Sequence, residues 1–371
     1  MSQTTAQLIS GTSAQSPTFG ATTVTSLNGG PIAGTRNRII NGDMRIDQRN
    51  AGASVTITST GGGQFTLDRW FGQASQSSKY SVQRNAGPVT PPTGFTNYLG
   101  VTSLSAYAVT AGDYFSINQA IEGFNGADLA FGTANATTVT ISFKVYSSLT
   151  GTFGGVLQNG AFNRSYPFTY TISSANTWTT VSVVIPGDTS GTWATDNSKG
   201  LVVIFGLGVG STYSGTAGAW GAANYISATG ATSVVGTSGA TFYITGVQLE
   251  PGTVATPFER RSYGAELALC QRYFWKETYY GNGFGDITNT VACAVNLPAT
   301  MRAQPSVTNS ADSSGIVANG ILYNLTAASA TIINGWYSGH NMVIVVTTNA
   351  QITRWTTAYI RILNLQANSE L

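Results

Sequence analysis

One histidine, two cysteines and 15 acidic residues are all that this 371-residue chain has for building a reactive centre. His340 lies in the Gly/Asn-containing stretch WYSGHN and no serine sits in a G-x-S-x-G elbow, so a Ser-His-Asp triad has no frame. Cys270, Cys293 and a single histidine fall short of a structural zinc set. Both cysteines read instead as small apolar core residues, Cys270 on a helix and Cys293 on a strand. Glycoside hydrolysis needs two carboxylates across a cleft; Asp43, Asp68, Asp113, Glu122 and Asp128 are scattered, with no motif around any of them. Phosphate loops and dinucleotide fingerprints are absent. The expectation is a protein that is not an enzyme.

Rings are the chemistry the chain does have: 7 Trp, 17 Tyr and 16 Phe, several of them in loop-like, Gly/Ser/Asn-rich sequence. Trp193, Tyr213, Trp220 and Tyr225 are of this kind, as are Tyr279, Tyr280, Trp336 and Tyr337. A sugar offers C–H patches to stack on a ring and hydroxyls that need amide or backbone partners; Tyr and Trp give large contact area at low rotamer cost. Trp336, Tyr337, His340 and Asn341 are expected together at a loop tip, and with Tyr279 and Tyr280 they form the candidate receptor or glycan site. The other reading of each ring is a cap on a sandwich end or a subunit contact.

The elements that must position these rings are strands. From residue 36 to 258 short apolar–polar alternations are broken by turn dipeptides such as Asn41-Gly42 and Asn159-Gly160. Val139, Ile141, Phe143 and Val145 share one face, as do Val181, Val183 and Ile185; Phe242 and Ile244 begin a third alternation that switches at Gly246. The run LVVIFGLGVG (201–210) is too short to cross a bilayer and reads as a buried strand. The amino terminus has no basic region followed by an apolar core, so it does not read as a secretory signal. Helical spacing occurs once, over 262–274, where Leu267, Cys270 and Phe274 recur at i, i+3 and i+7. Ser262 is placed to cap this helix and Glu266 lies in its early turns. Alternation returns after 276, so the expected fold is all-β. It comprises a jelly-roll sandwich (36–258), a linker with a short helix (259–275) and a smaller C-terminal β-sandwich domain (276–371). Residues 1–35 carry no charge before Arg36 and have too little apolar area to fold alone; they read as a loose tail or as an arm that orders on docking.

Charged residues make up 9% of the chain, against roughly 25% in an ordinary soluble protein. Hydroxyls, amides, backbone or other subunits must therefore cover its surface. A net charge of +2 with no basic run gives nucleic acid no phosphate track.

Three segments in order resemble bacteriophage fibre proteins that carry a carbohydrate-binding-module-like jelly roll. They are NRIINGDMRIDQR (37–49) with LDRW (67–70), INQAIEG (117–123) with the 139–146 strand, and TGVQLEPGTVATPFERR (245–261) leading into YGAELALCQRY (263–273). LPATMRAQP (297–305) is similar to the start of the terminal β domain in such fibres. The resemblance implies a homotrimeric virion protein made in the host cytoplasm. Residues 1–35 would dock on a tail or baseplate protein, the distal domain would meet a host-surface polysaccharide, and Leu267, Cys270 or Phe274 would face the trimer axis. A head fibre or capsid decoration without a receptor is the alternative. Modules of this kind often hold a structural calcium beside Asn-Gly-Asp-Phe-Glu; here the stretch is Asn-Gly-Asp-Met-Arg45, without the acidic fifth residue. No other cofactor is implied.

Overall fold

The computed structural model describes residues 36–285, 290–308, 315–318, 321–324, 330–338, 341–347 and 357–371. The first 14 strands of the chain are β1 (Val55–Thr56), β2 (Gly63–Phe65), β3 (Phe71–Ala74), β4 (Tyr80–Arg84), β5 (Leu99–Ser103), β6 (Tyr114–Glu122), β7 (Val139–Ser147), β8 (Gly151–Asn159), β9 (Ser165–Ile172), β10 (Thr179–Ile185), β11 (Lys199–Val209), β12 (Ser214–Gly215), β13 (Ser227–Ala228) and β14 (Thr241–Pro251). Sheet one has the order β1-β4-β5-β14-β7-β10 and sheet two the order β2-β3-β6-β11-β8-β9; β12 and β13 form a small parallel pair beside them. The two large sheets face each other as a jelly-roll sandwich.

Alternation decides what lies between them. Val139, Ile141, Phe143 and Val145 all point inward to one core with Val181, Val183, Ile185, Phe242 and Ile244, and sheet two adds Leu201, Val203 and Phe205. Trp70 is fully buried there, its indole N–H donating to the Asn41 carbonyl at 3.0 Å. The switch at Gly246 is a bulge: the register of β14 on β7 slips between Thr245 and Gln248, and Gly246 has φ +62°.

The stretch after β14 is a clasp. Glu250 is fully buried and accepts from the Thr256 amide at 2.8 Å, the Thr256 hydroxyl at 2.6 Å and the Gln248 amide at 2.7 Å. Glu259 accepts from the Asn37 amide at 2.6 Å, and Arg261 donates to the carbonyls of Ile39 and Asn37. Glu259 and Arg261 thus fasten the exit of the sandwich to its first residues.

Helix α1 (Tyr263–Gln271) follows, capped by the Ser262 hydroxyl accepting from the Ala265 amide at 3.3 Å. It is shorter than 262–274, because Phe274 already belongs to β15 (Phe274–Gly285), where pairing with the C-terminal strand wins over helical spacing. The residues expected at a trimer axis have partners within the chain. Cys270 and Tyr273 are fully buried against Ile40 and Ile46, with Leu267 packed beside them. Phe274 lies under the Arg49 guanidinium, 3.7 Å from the ring centroid. Cys270 and Phe274 are consumed within the chain, and Leu267 leans on the same cluster. Glu266 is buried as well, accepting from the Asn41 amide and pairing with Arg261 at 3.3 Å. Both cysteines are free and buried.

The remaining strands are β16 (Thr290–Asn296), β17 (Ser306–Thr308), β18 (Gly315–Ala318), β19 (Ile321–Asn324), β20 (Ala330–Ser338), β21 (Asn341–Thr347) and β22 (Thr357–Asn368). They form a single curled sheet three in the order β19-β18-β22-β15-β16-β21-β20, with β17 also on β22. Val291, Cys293, Val295, Met342, Ile344, Ile360 and Ile362 make its core, so the C-terminal unit closes by curling one sheet where the sequence suggested two.

Candidate functional site

The outer face of sheet two carries a groove of about 410 Å³. Its floor follows from strand period. Leu201, Val203 and Phe205 of β11 point into the sandwich, so Val202 and Ile204 point out, where they meet Phe71, Val156 and Ile226 in a second apolar layer. Rings stand along it in pairs: Phe65 with Phe71 at 5.2 Å, and Tyr114 edge-on to Tyr213 at 5.1 Å and 76°. Burial, then the neighbouring Tyr213, raises the Tyr114 phenol above its ordinary pKa. Gln73, Gln158 and Asn224 supply amides, the Gln158 Nε2 donating to Asn224 Oδ1 at 2.7 Å. Lys199 is the cation of the groove; burial, then the charge of Arg302, holds its amine below the usual range. Gly61–Gly63 form one lip.

Beneath this floor lies a polar strip with unspent capacity. Asn118 pairs with Phe71 on one side and Ile204 on the other, so its side chain shares their outward face. It is fully buried, and neither its Oδ1 nor its Nδ2 has a hydrogen-bond partner. The hydroxyls of Ser116 and Ser227 are likewise buried and unpartnered. Buried polar atoms of this kind ordinarily hold water or a ligand.

No Asp or Glu side chain is among the described lining residues of the groove. The scattered acids serve structure. Asp113 accepts from Ser75, Thr110 and Tyr107; Glu122 from Arg272 and Tyr273; Asp68 from Gln48; and Asp128 meets Arg38. Asp43 pairs with Arg45 at 2.5 Å, while Asp47 accepts from the amides of Asn50 and Gly52. Among the described residues no group of three His, Cys, Asp or Glu side chains converges on a metal position.

The sequence candidates divide. Tyr279 and Tyr280 sit on β15 at a shallow recess of about 220 Å³ with Trp275, Glu277 and Asn296. The Tyr279 hydroxyl donates to the Ala294 carbonyl at 2.8 Å, and Tyr280 is 57% exposed. Trp336 and Tyr337 are not in a loop: they belong to β20, and Tyr337 pairs with Met342 and Ser338 with Asn341 across a hairpin. The strand propensity of an aromatic pair next to the β21 pairing explains the difference. His340 lies outside the described residues. Of the loop rings in the sandwich, Trp193 and Trp220 close one end against Phe131, 4.8 and 5.9 Å away, while Tyr213 reaches the groove. Tyr114, Gln73, Gln158, Asn224 and Lys199 carry no motif in the sequence; for all but Asn224 the available signal is an outward-facing polar or aromatic position on a strand.

This is a β-sandwich with a ring-lined groove on one outer face. No protein-family model and no curated protein matches the chain. Solved structures similar to it include tailspike protein 4 of bacteriophage CBA120 (enzymatically active domain), at 11% identity and TM-score 0.33. That match covers 58% of this chain and 21% of the tailspike chain. Also similar are the family 11 carbohydrate-binding module of a Clostridium thermocellum cellulosomal cellulase (14% identity, TM-score 0.28, covering 56% and 99%) and TmCBM61 in complex with β-1,4-galactotriose (10%, 0.30, covering 58% and 99%).

Proposed function

We propose that the chain is a saccharide-binding virion fibre protein and that the groove on sheet two is its sugar site. The observation that carries this is the combination in one concavity of paired rings and an amide rim, with no Asp or Glu side chain among the described lining residues. Rings take the C–H faces of a sugar and amides take its hydroxyls. The absence of a carboxylate pair favours holding over cleaving, so the activity proposed is binding, not hydrolysis. The groove is larger than the Tyr279–Tyr280 recess and better supplied with hydrogen-bonding groups, which makes it the preferred site of the two.

The ordered sequence motifs support the fibre part of the reading: a homotrimer docked by residues 1–35 on a tail or baseplate protein. One observation favours a purely structural virion role such as a head fibre or capsid decoration. Phe71, Val202 and Ile204 are already buried by the chain and need no ligand to cover them. Locating the chain in an image of the intact particle separates the two settings.

The binding test uses neutral β-linked oligosaccharides and the full chain. Tyr114→Ala and Gln158→Ala are each expected to raise Kd roughly tenfold, about 1.4 kcal/mol, with the unfolding temperature little changed. Saccharide binding that both variants leave intact would remove the groove from the account.

A further inference from the structure

The opposite outer face, on sheet one, holds a second concavity of about 490 Å³. Its floor is a polar patch made by strand pairing: Lys144 of β7 lies across from Thr180 of β10, and Ser142 from Ser182. The Lys144 amine donates to the Thr180 hydroxyl at 2.9 Å, which holds it over this patch. The bulge in β14 creates the wall. A Cβ on Gly246 would come within 2.7 Å of the Phe95 ring, so only glycine lets that ring settle there. Phe258 meets Phe95 at 5.3 Å and 63°, and the Arg260 guanidinium lies over both rings, 4.7 and 5.6 Å from their centroids.

This site carries two cationic side chains, Lys144 and Arg260, where the groove carries one, Lys199. Neither Lys144 nor Arg260 forms an ion pair among the described residues, and no carboxylate is among the described lining residues. The nearby acids are turned away and occupied, Glu250 by Thr256 and Gln248, Glu259 by the Asn37 amide. Two unneutralised cations in a chain with 9% charged residues are thus gathered in one pocket with the rings of Phe95 and Phe258 and the hydroxyls of Ser142, Thr180 and Ser182. On the same face, next to Lys144 and Thr180, Tyr146 and Trp178 add rings 5.5 Å apart.

We propose that this pocket is a second saccharide site, one that takes a carboxylated sugar unit. The carboxylate meets Lys144 and Arg260, the ring C–H face meets Phe95 or Phe258, and hydroxyls meet Ser142, Thr180 and Ser182. The proposal stands without the groove, which lies on the other side of the sandwich.

The test compares trigalacturonate with galactotriose on the full chain by calorimetry. Trigalacturonate is expected to bind, roughly tenfold more weakly after Lys144→Gln or Arg260→Gln, and more weakly still as salt rises from about 50 mM to about 500 mM. Tyr114→Ala in the groove should leave this binding unchanged. Because Arg260 also holds the Gly94 carbonyl, Ser182→Asp is the second variant. It puts a carboxylate on an exposed floor position, and the expected result is loss of acidic-sugar binding with unfolding unaltered. Equal affinity for the neutral trisaccharide, binding indifferent to Ser182→Asp, or no binding of trigalacturonate would each overturn the proposal. If inorganic sulfate displaces trigalacturonate at equal concentration, the pocket reads charge alone and the sugar assignment falls.

Discussion

Asp68 shows how far a single residue could be read in advance. Its place in LDRW was visible as part of a resemblance, but its function in the fold was not. The carboxylate is fully buried, with Oδ2 accepting from the Gln48 amide at 2.6 Å and Oδ1 from its side chain at 2.7 Å. Burial pushes its pKa up to about 6, against the pull of Arg49 and of the two Gln48 bonds, and Glu370 adds to the rise. A raised folded pKa means that the folded chain holds the proton more tightly than the unfolded one. The contribution to stability is therefore full below about pH 4 and is lost as pH rises through about 6. A shift of about two units corresponds to something on the order of 3 kcal/mol. Denaturant titrations of wild type and Asp68→Asn from pH 4 to 8 should diverge over that window, the variant lacking the decline. Parallel curves would show that Asp68 does not titrate there. The groove residues were hidden for a related reason: an outward Tyr114 or Gln158 looks in sequence like any exposed strand position, and only the pairing of β6, β11 and β8 brings them to one floor.

At the scale of elements, period carried most of the information. The alternations at 139–145 and 181–185 mark β7 and β10, and the break at Gly246 marks a bulge. Helical spacing misled at one point. Leu267, Cys270 and Phe274 fit a helix face, yet the aromatic-rich run YFWKETYY favours strand, and β15 has β22 to pair with from Phe274 to Phe284, with one register shift between Glu277 and Tyr279. What period cannot show is which element covers which: nothing in the helix pattern names the 39–46 segment as its partner within the chain. The clasp after β14 gives the sharpest test at this scale. Glu250→Ala would leave the Thr256 amide and hydroxyl and the Gln248 side chain buried without their acceptor. Loss of one partner from such a network costs about 3–5 kcal/mol, so the variant should unfold at clearly lower denaturant, and Glu250→Gln should recover part of the loss. A change under about 1 kcal/mol for the alanine variant would mean that the exit segment is held elsewhere.

Across the whole molecule, ionic contacts tie the jelly roll to sheet three at one seam, in a chain that is otherwise sparing with charge. Arg272 grips Glu122 through two hydrogen bonds, of 2.9 and 2.5 Å, and the Tyr273 hydroxyl reaches the same carboxylate at 2.6 Å. Glu370 is held by Arg49 at 2.8 Å and by Arg69. Arg302 spans the seam most directly. It donates to the carbonyl of Asn197 in the sandwich at 2.8 Å and to those of Ser369 and Glu370 after β22, at 2.7 and 3.1 Å. Arg302→Met keeps much of the apolar stem and removes these charge-assisted bonds, each worth about 1.5–3 kcal/mol when intact and less than additive together. If the seam makes the two units one cooperative body, wild type should melt in a single calorimetric transition. The variant should then show a separate, earlier transition for sheet three, with new protease cleavage after residue 275 and the sandwich still folded. A wild type that already melts in two steps, or a variant that keeps one transition at an unchanged temperature, would show that this seam does not couple them.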